Sequence, residues 1–325
     1  MSQYADIAYV NENVATRDLK YYIFDWDDNI LHMPTRIKLE RRDEDDRWRE
    51  VEVSTSTFAV VRSDVENYRP PAGGWEEAFR AFSDEPDKNN FLDDTIAALE
   101  KIEHGEVPGP SYEAMKKTLR EGRIFAIVTA RGHSPETIEK AVRIFIKYAL
   151  TERERAEMMS NLRGYRWWID KVTEFGTDAE ELDRYLSLCR YNAVTFNGFK
   201  ERMAKDPIYQ EKLATATTAS KPELAKEFAI RDFVEHVYHM LRRSGTTHRP
   251  ISIGFSDKPN TVPYGAKVFY YAGDDYLSLK AQKYIRKELS KRFEGIKFVV
   301  YDTSDPSLRK GRKVCVSGQL NLPGF

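Results

Sequence analysis

The chain has 325 residues, 41% hydrophobic and 12% aromatic, which is long enough for one large folded domain or two smaller ones and too apolar for a disordered polymer. Lys+Arg 51 against Asp+Glu 52 leaves a net charge of −1, so bulk charge gives no reason to expect a nucleic acid or an anionic membrane as partner. Cys189 and Cys315 lack any Cys-x-x-Cys or Cys/His setting, which argues against a disulfide framework and for a reducing, cytoplasmic location; no stretch reads as a signal peptide or a membrane span.

Tyr21-Tyr22-Ile23-Phe24 is an apolar run closed by Asp25-Trp26-Asp27-Asp28-Asn29, the pattern of a buried strand ending in a polar turn. Pro34 to Arg41 and Trp48 to Ser54 alternate with period two around the polar run Arg42 to Arg47, which predicts a β-hairpin projecting from the core as a flap. Helices are expected over Thr57–Val65, Glu76–Phe82 and Leu92–Glu103, with a Pro/Gly loop from Tyr68 to Trp75. Tyr112–Arg120 predicts a further helix, ended by Gly122. Ile124–Val128 is a second buried strand leading into Thr129-Ala130-Arg131-Gly132. Ser134 as N-cap and Pro135 at the first helical position then start a helix to Ala149.

Residues 151–219 predict helices at Glu152–Leu162 and Ala179–Cys189 and read as a mostly helical insertion, a candidate cap. Ser220 caps a long helix that runs to Arg243. Strands follow at Ile251–Phe255, ending in Ser256-Asp257, and at Ile296–Tyr301, ending in Asp302; helices are expected over Asn260–Ala272 and Tyr276–Phe293. The tail, 304–325, carries the basic run Arg309–Lys313, read as a solvated loop. The expected fold is α/β: a Rossmann-like parallel sheet flanked by helices, built from 19–33, 110–150 and 220–303. A hairpin flap with helices (34–109) and the insertion at 151–219 would be added to it.

The ends of three expected strands carry chemistry: Asp25 and Asp27, Thr129, and Asp257, with Lys221 between the last two. In open α/β sheets that edge is where ligands bind. Two carboxylates about 4 Å apart repel by about 4 kcal/mol at an effective dielectric of ~20, so they must share a cation or a proton. Asp43 and Asp45 repeat the Asp-x-Asp spacing in a charge run with no strand before it, which predicts a solvated turn. The histidines show no His-x-x-x-His pair, and His236 and His239, three apart on a helix, fit packing better than a metal site.

In order and context these segments resemble the haloacid dehalogenase (HAD) superfamily, chiefly its phosphatases. Phe24-Asp25-Trp26-Asp27-Asp28-Asn29 is similar to the first motif, Ile127-Val128-Thr129-Ala130-Arg131-Gly132 to the second, Lys221-Pro222 to the third, and Gly254-Phe255-Ser256-Asp257 to the fourth. The resemblance implies a Mg²⁺-dependent phosphomonoesterase. Asp25 would be the nucleophile that forms an aspartyl-phosphate, and Asp27 the acid and base. Asp25, Asp27 through its main-chain carbonyl, and Asp257 would hold Mg²⁺, while Thr129 and Lys221 would hold the phosphoryl oxygens. Helical periodicity does not choose between Lys221 and Lys226, with Lys258 a third candidate; Arg131 is a candidate substrate contact or a turn-stabilising side chain. Asn29 departs from the usual Thr or Val, and Asn260 stands near where a second acid is common. The implied partner is a phosphorylated small molecule. Nucleic-acid ends and nucleotides form an alternative that net charge does not support, and a phospho-ligand binder without turnover is another.

Overall fold

The computed structural model describes residues 20–86, 88, 90–216, 221–243, 251–256, 297–302 and 312–316. In chain order the strands are β1 (Lys20–Phe24), β2 (Ile37–Arg42), β3 (Trp48–Val53), β4 (Tyr68–Arg69), β5 (Phe125–Thr129), β6 (Arg190–Ala193), β7 (Ile251–Ser256), β8 (Lys297–Asp302) and β9 (Arg312–Val316). The helices are α1 (Thr55–Val61), α2 (Gly74–Ala78), α3 (Asn90–Glu103), α4 (Tyr112–Arg120), α5 (Pro135–Ala149), α6 (Glu152–Tyr165), α7 (Asp178–Leu188), α8 (Asn197–Lys205), α9 (Pro207–Ala214) and α10 (Lys221–Arg243).

The main sheet has the order β6-β5-β1-β7-β8-β9, parallel except for β9. β1 is flanked by β5 on one side and β7 on the other, so the connections leave it in opposite directions, the topological position at which open α/β sheets form a ligand crevice. Strand alternation sorts the side chains into two cores. Tyr22, Phe24, Phe125 and Ile127 face one layer with α3, α4, α5, α6 and α7. Tyr21, Ile23, Ala126 and Val128 face the other with α8, α9 and α10. Both faces of the strands are covered, which is why they read as continuous apolar runs.

Helix starts follow their capping residues. Ser134 accepts from the Thr137 N–H ahead of Pro135, and Thr151 and Thr177 each close a capping box, with Glu154 and Glu180 respectively. β2, β3 and β4 make a separate sheet in the order β3-β2-β4, with Ile37, Leu39, Ala78 and Phe82 as its buried contacts. Asp43 organises the hairpin tip: its carboxylate accepts from the Asp45 and Arg47 N–H groups and from Arg49 Nε at 2.6 Å, and these bonds hold its pKa below the usual value.

Two stretches differ from the sequence expectation. Within 151–219 the chain returns to the sheet as β6, whose Tyr191 and Ala193 pack into the core and whose Ile127↔Tyr191 register extends the parallel ladder. Arg-Tyr-Asn-Ala is too short and polar to read as a strand alone; pairing with β5 decides it. In the tail, Arg312 and Lys313, the end of the run expected as a solvated loop, instead open β9 (Arg312–Val316), antiparallel to β8, while residues 309–311 lie outside the described residues. The helices expected over Asn260–Ala272 and Tyr276–Phe293 lie outside the described residues. Among the described residues no helix is long and apolar enough to cross a membrane.

Candidate active site

The turn after β1 is built by backbone bonds. The N–H groups of Ile30 and Leu31 both donate to the Trp26 carbonyl, at 3.0 and 3.3 Å, and Asp28 N–H donates to the Leu31 carbonyl. Asp28 sits at φ 58°, the left-handed region that Asp tolerates better than most side chains. Its Oδ2 accepts from Thr55 Oγ1 at 2.7 Å, which ties the end of the hairpin to this turn. Trp26, between the two acids in sequence, is fully buried against Phe91 and Phe145. Asp25 and Asp27, on either side of it, are both largely buried.

A second segment clamps the turn from outside. Gly109 N–H donates to the Ile30 carbonyl, while Ser111 donates to the Asn29 carbonyl through both its N–H and its Oγ, each at 2.8 Å. A Cβ on Gly109 would lie 2.4 Å from the Asn29 oxygen, closer than any real contact. Gly109→Ala must therefore push the clamp off the turn. Its expected cost is about 2 kcal/mol, checked by urea unfolding; an unchanged midpoint would contradict this close approach.

Asp25 is 7% exposed. Its Oδ1 accepts from the Trp26 N–H at 3.0 Å and its Oδ2 from Lys226 Nζ at 2.8 Å. Lys226 comes from α10, the helix on the opposite core layer, and is itself buried. Of the lysines open from the sequence, Lys226 therefore reaches Asp25. Lys221 is the first residue of α10 and its side chain lies outside the described residues, as do Asp257 and Lys258.

Asp27 meets a different environment. Arg131 Nε lies 3.1 Å from its Oδ1 and 2.9 Å from its Oδ2, and Arg131 Nη2 donates to Oδ1 at 2.6 Å. Thr129 Oγ1 adds a bond to Oδ2 at 3.3 Å. The guanidinium is 1% exposed and lies between the Phe82 and Phe91 rings, 4.6 and 4.7 Å from their centroids. Its Nη2 also donates to Thr35 Oγ1, and Thr35 in turn donates to Asp94 on α3. Arg131 thus meets Asp27 inside the protein rather than standing in the crevice as an open contact. The sequence offered no signal for Thr35 and Asp94, which lie 59 positions apart and meet only in the fold.

His133 closes the back of this network, 1% exposed and stacked on Phe91 at 4.7 Å. Burial, and secondarily the Arg131 charge, lowers its pKa from 6.5 to about 4. The folded protein holds the ring neutral, whereas the unfolded chain protonates it below 6.5. Its contribution is whole above pH 6.5 and is lost as pH falls toward 4, by at most about 3 kcal/mol. His133→Gln should flatten the acid limb of a stability–pH curve between those values; an unchanged slope would place the ring in a hydrated setting.

Asp25's buried carboxylate faces a lysine, whereas Asp27's faces an arginine fork. Asp27's carboxylate is taken by Arg131. Among the described residues no group of three or more His, Cys, Asp or Glu side chains converges to hold a metal. No protein-family model, curated protein or solved structure matches the chain.

Proposed function

We propose that the chain is a phosphomonoesterase of the HAD type, acting through an aspartyl-phosphate on Asp25. The observation that carries this reading is the gathering of Asp25, Asp27, Thr129 and Lys226, from β1, β5 and α10, at the C-terminal edge of a parallel sheet. In this reading Lys226 neutralises Asp25 in the resting protein and turns to the phosphoryl oxygens when substrate enters. Asp25 attacks phosphorus in line, and the alcohol leaves with a proton from Asp27. Water then cleaves the acyl phosphate. Thr129, at the end of β5, donates its hydroxyl to a phosphoryl oxygen.

Asp25, the Asp27 main-chain carbonyl and Asp257 would hold Mg²⁺, which, when bound, offsets repulsion between the anionic nucleophile and the phosphoryl group. The β2–β3 hairpin, tied to the Asp28 turn through Thr55, serves as the flap over the crevice. The preferred substrate is a phosphorylated small molecule.

One observation favours a second reading, a fold that binds a phosphorylated ligand without turnover: Asp27, the acid that must give up a proton, is held in a two-toothed grip by Arg131. A single experiment separates the two. Phosphate release is measured across aryl phosphate, phosphorylated metabolites, nucleotides, 3′- and 5′-phosphorylated oligonucleotides and phosphopeptides, with Mg²⁺ and with a chelator. The enzyme reading expects Mg²⁺-dependent release from at least one small phosphomonoester. No release from any, together with Mg²⁺-linked thermal stabilisation by the same esters, would establish the binder instead.

A further inference from the structure

α10 brings Lys226 to Asp25, yet its apolar packing does not explain why Lys226 rather than a neighbour faces the carboxylate. Every side chain from Ala225 to Arg231 is buried. Consecutive residues at about 100° each go right round the helix, so this part of α10 has no wet face to orient it. Phe228, Ala229, Ile230, Phe233 and Val234 all join the core on this side of the sheet. Apolar contacts of that breadth tolerate repacking and specify a single arrangement weakly.

Two charged residues in that stretch, which the proposed chemistry does not use, are gripped from α9. Glu227 Oε1 accepts from Tyr209 Oη at 2.9 Å and from Lys212 Nζ at 2.6 Å. Four residues on, Arg231 donates from Nη2 to Asp206 Oδ2, and its guanidinium lies 4.7 Å from the centroid of the Tyr209 ring. Positions i and i+4 share one stripe of a helix, and positions three apart, as 206, 209 and 212 are, share one face. The start of α9 thus meets Arg231 and its end meets Glu227, so a rotated α10 would break both pairs.

Lys226 stands one position, about 100°, from Glu227. With Glu227 held toward α9, Lys226 Nζ reaches Asp25 Oδ2 at 2.8 Å. We propose that Glu227 is a positioning residue: held by Tyr209 and Lys212, it sets the rotation of α10 and thereby the seat of Lys226 on Asp25. Its part in turnover rests on the phosphatase reading; its part in seating Lys226 does not. Replacing a buried ion pair by apolar side chains of similar volume is often neutral for stability, so what this clamp supplies is orientation.

The test is reductive methylation of lysine amines in the full chain, read residue by residue by mass spectrometry, beside urea unfolding and hydrogen exchange. In Glu227→Leu with Lys212→Met, Lys226 should react about tenfold or more faster than in the wild type, while the unfolding midpoint and the exchange of β1 and β5 amides stay near wild-type values. Glu227→Gln keeps an oxygen for Tyr209 and Lys212 and should stay within about threefold of wild-type labelling. Asp206→Asn with Arg231→Met loosens the other pair and keeps a capping side chain on α9. It should speed Lys226 labelling even where the first variant fails to fold. With the best phosphomonoester, kcat/KM should fall about tenfold or more wherever Lys226 labels fast. Labelling needs no substrate, so it reads the clamp whether or not the chain turns over a phosphate ester. Fast labelling with unchanged kcat/KM would keep the clamp and remove Lys226 from the phosphatase reading. Wild-type labelling of Lys226 in both double variants, or faster labelling matched by faster exchange of every buried amide, would overturn the assignment.

Discussion

Asp25→Asn should abolish phosphate release, by a factor on the order of 10⁴ or more, as expected when the nucleophile itself is removed. The amide keeps the shape and can still accept the Trp26 N–H that Asp25 Oδ1 accepts now. What it loses is the anion, and with it both the attacking oxygen and the charge that pairs with Lys226 Nζ at 2.8 Å. Removing one partner of a buried pair leaves the other uncompensated, at a cost of about 3–5 kcal/mol. The single variant therefore loses stability as well as activity, and inactivity alone would be ambiguous. Adding Lys226→Met removes the stranded ammonium. The double variant should regain most of the unfolding free energy and none of the turnover. Turnover near the wild-type rate in either variant would remove Asp25 from the chemistry.

Arg131→Ala should lose about 3–5 kcal/mol of stability, measured by denaturant unfolding. Three terms act together. Asp27, 6% exposed, loses both teeth of its guanidinium partner and retains only the longer Thr129 bond. Thr35 loses the donor that links β1's turn to α3 through Asp94. Phe82 and Phe91 lose the planar cation packed between them. Against a typical domain stability of about 5–15 kcal/mol, this variant sits at the edge of folding. Arg131→Lys should rescue little, since one ammonium cannot reproduce the fork or the stacking. Arg131→Met with Asp27→Asn, which removes both charges, should recover part of the loss. A destabilisation below about 1 kcal/mol in Arg131→Ala would mean the pair is solvated.

The parts of the fold legible in the sequence are those where local chemistry and burial agree. The start of the helix Pro135–Ala149 could be placed to the residue because Ser134 caps it and Pro135 occupies its first turn. β1 and β5 were visible because both faces are buried, so neither strand interrupts its apolar run. β6 and β9 were not, because Arg190–Ala193 is short and polar and Arg312–Val316 opens on the end of a basic run, and both become strands through a neighbour's ladder. The hairpin was visible in its alternation, but β4 was not, since two residues, Tyr68 and Arg69, carry no period.

The candidate site divides the same way. Asp25, Asp27 and Thr129 stand at strand ends and are legible as a set once the strands are placed. The choice of Lys226 required the helix's rotation over the sheet, which periodicity leaves free. The Arg131–Thr35–Asp94 chain and the neutral His133 depend on contacts made across the fold, and nothing in the local sequence announces them. Asn29 is buried in the turn, and its main-chain carbonyl receives Ser111.

The most direct measurement of the central claim is the site of phosphorylation during turnover. A reaction with the best phosphomonoester is quenched in acid and reduced with borohydride, which converts a phosphorylated aspartate to homoserine, and the peptides are mapped by mass. The account predicts homoserine at position 25, dependent on substrate and Mg²⁺ and absent in Asp25→Asn. Turnover without any modified aspartate, or with the modification at Asp27 or elsewhere, would contradict it.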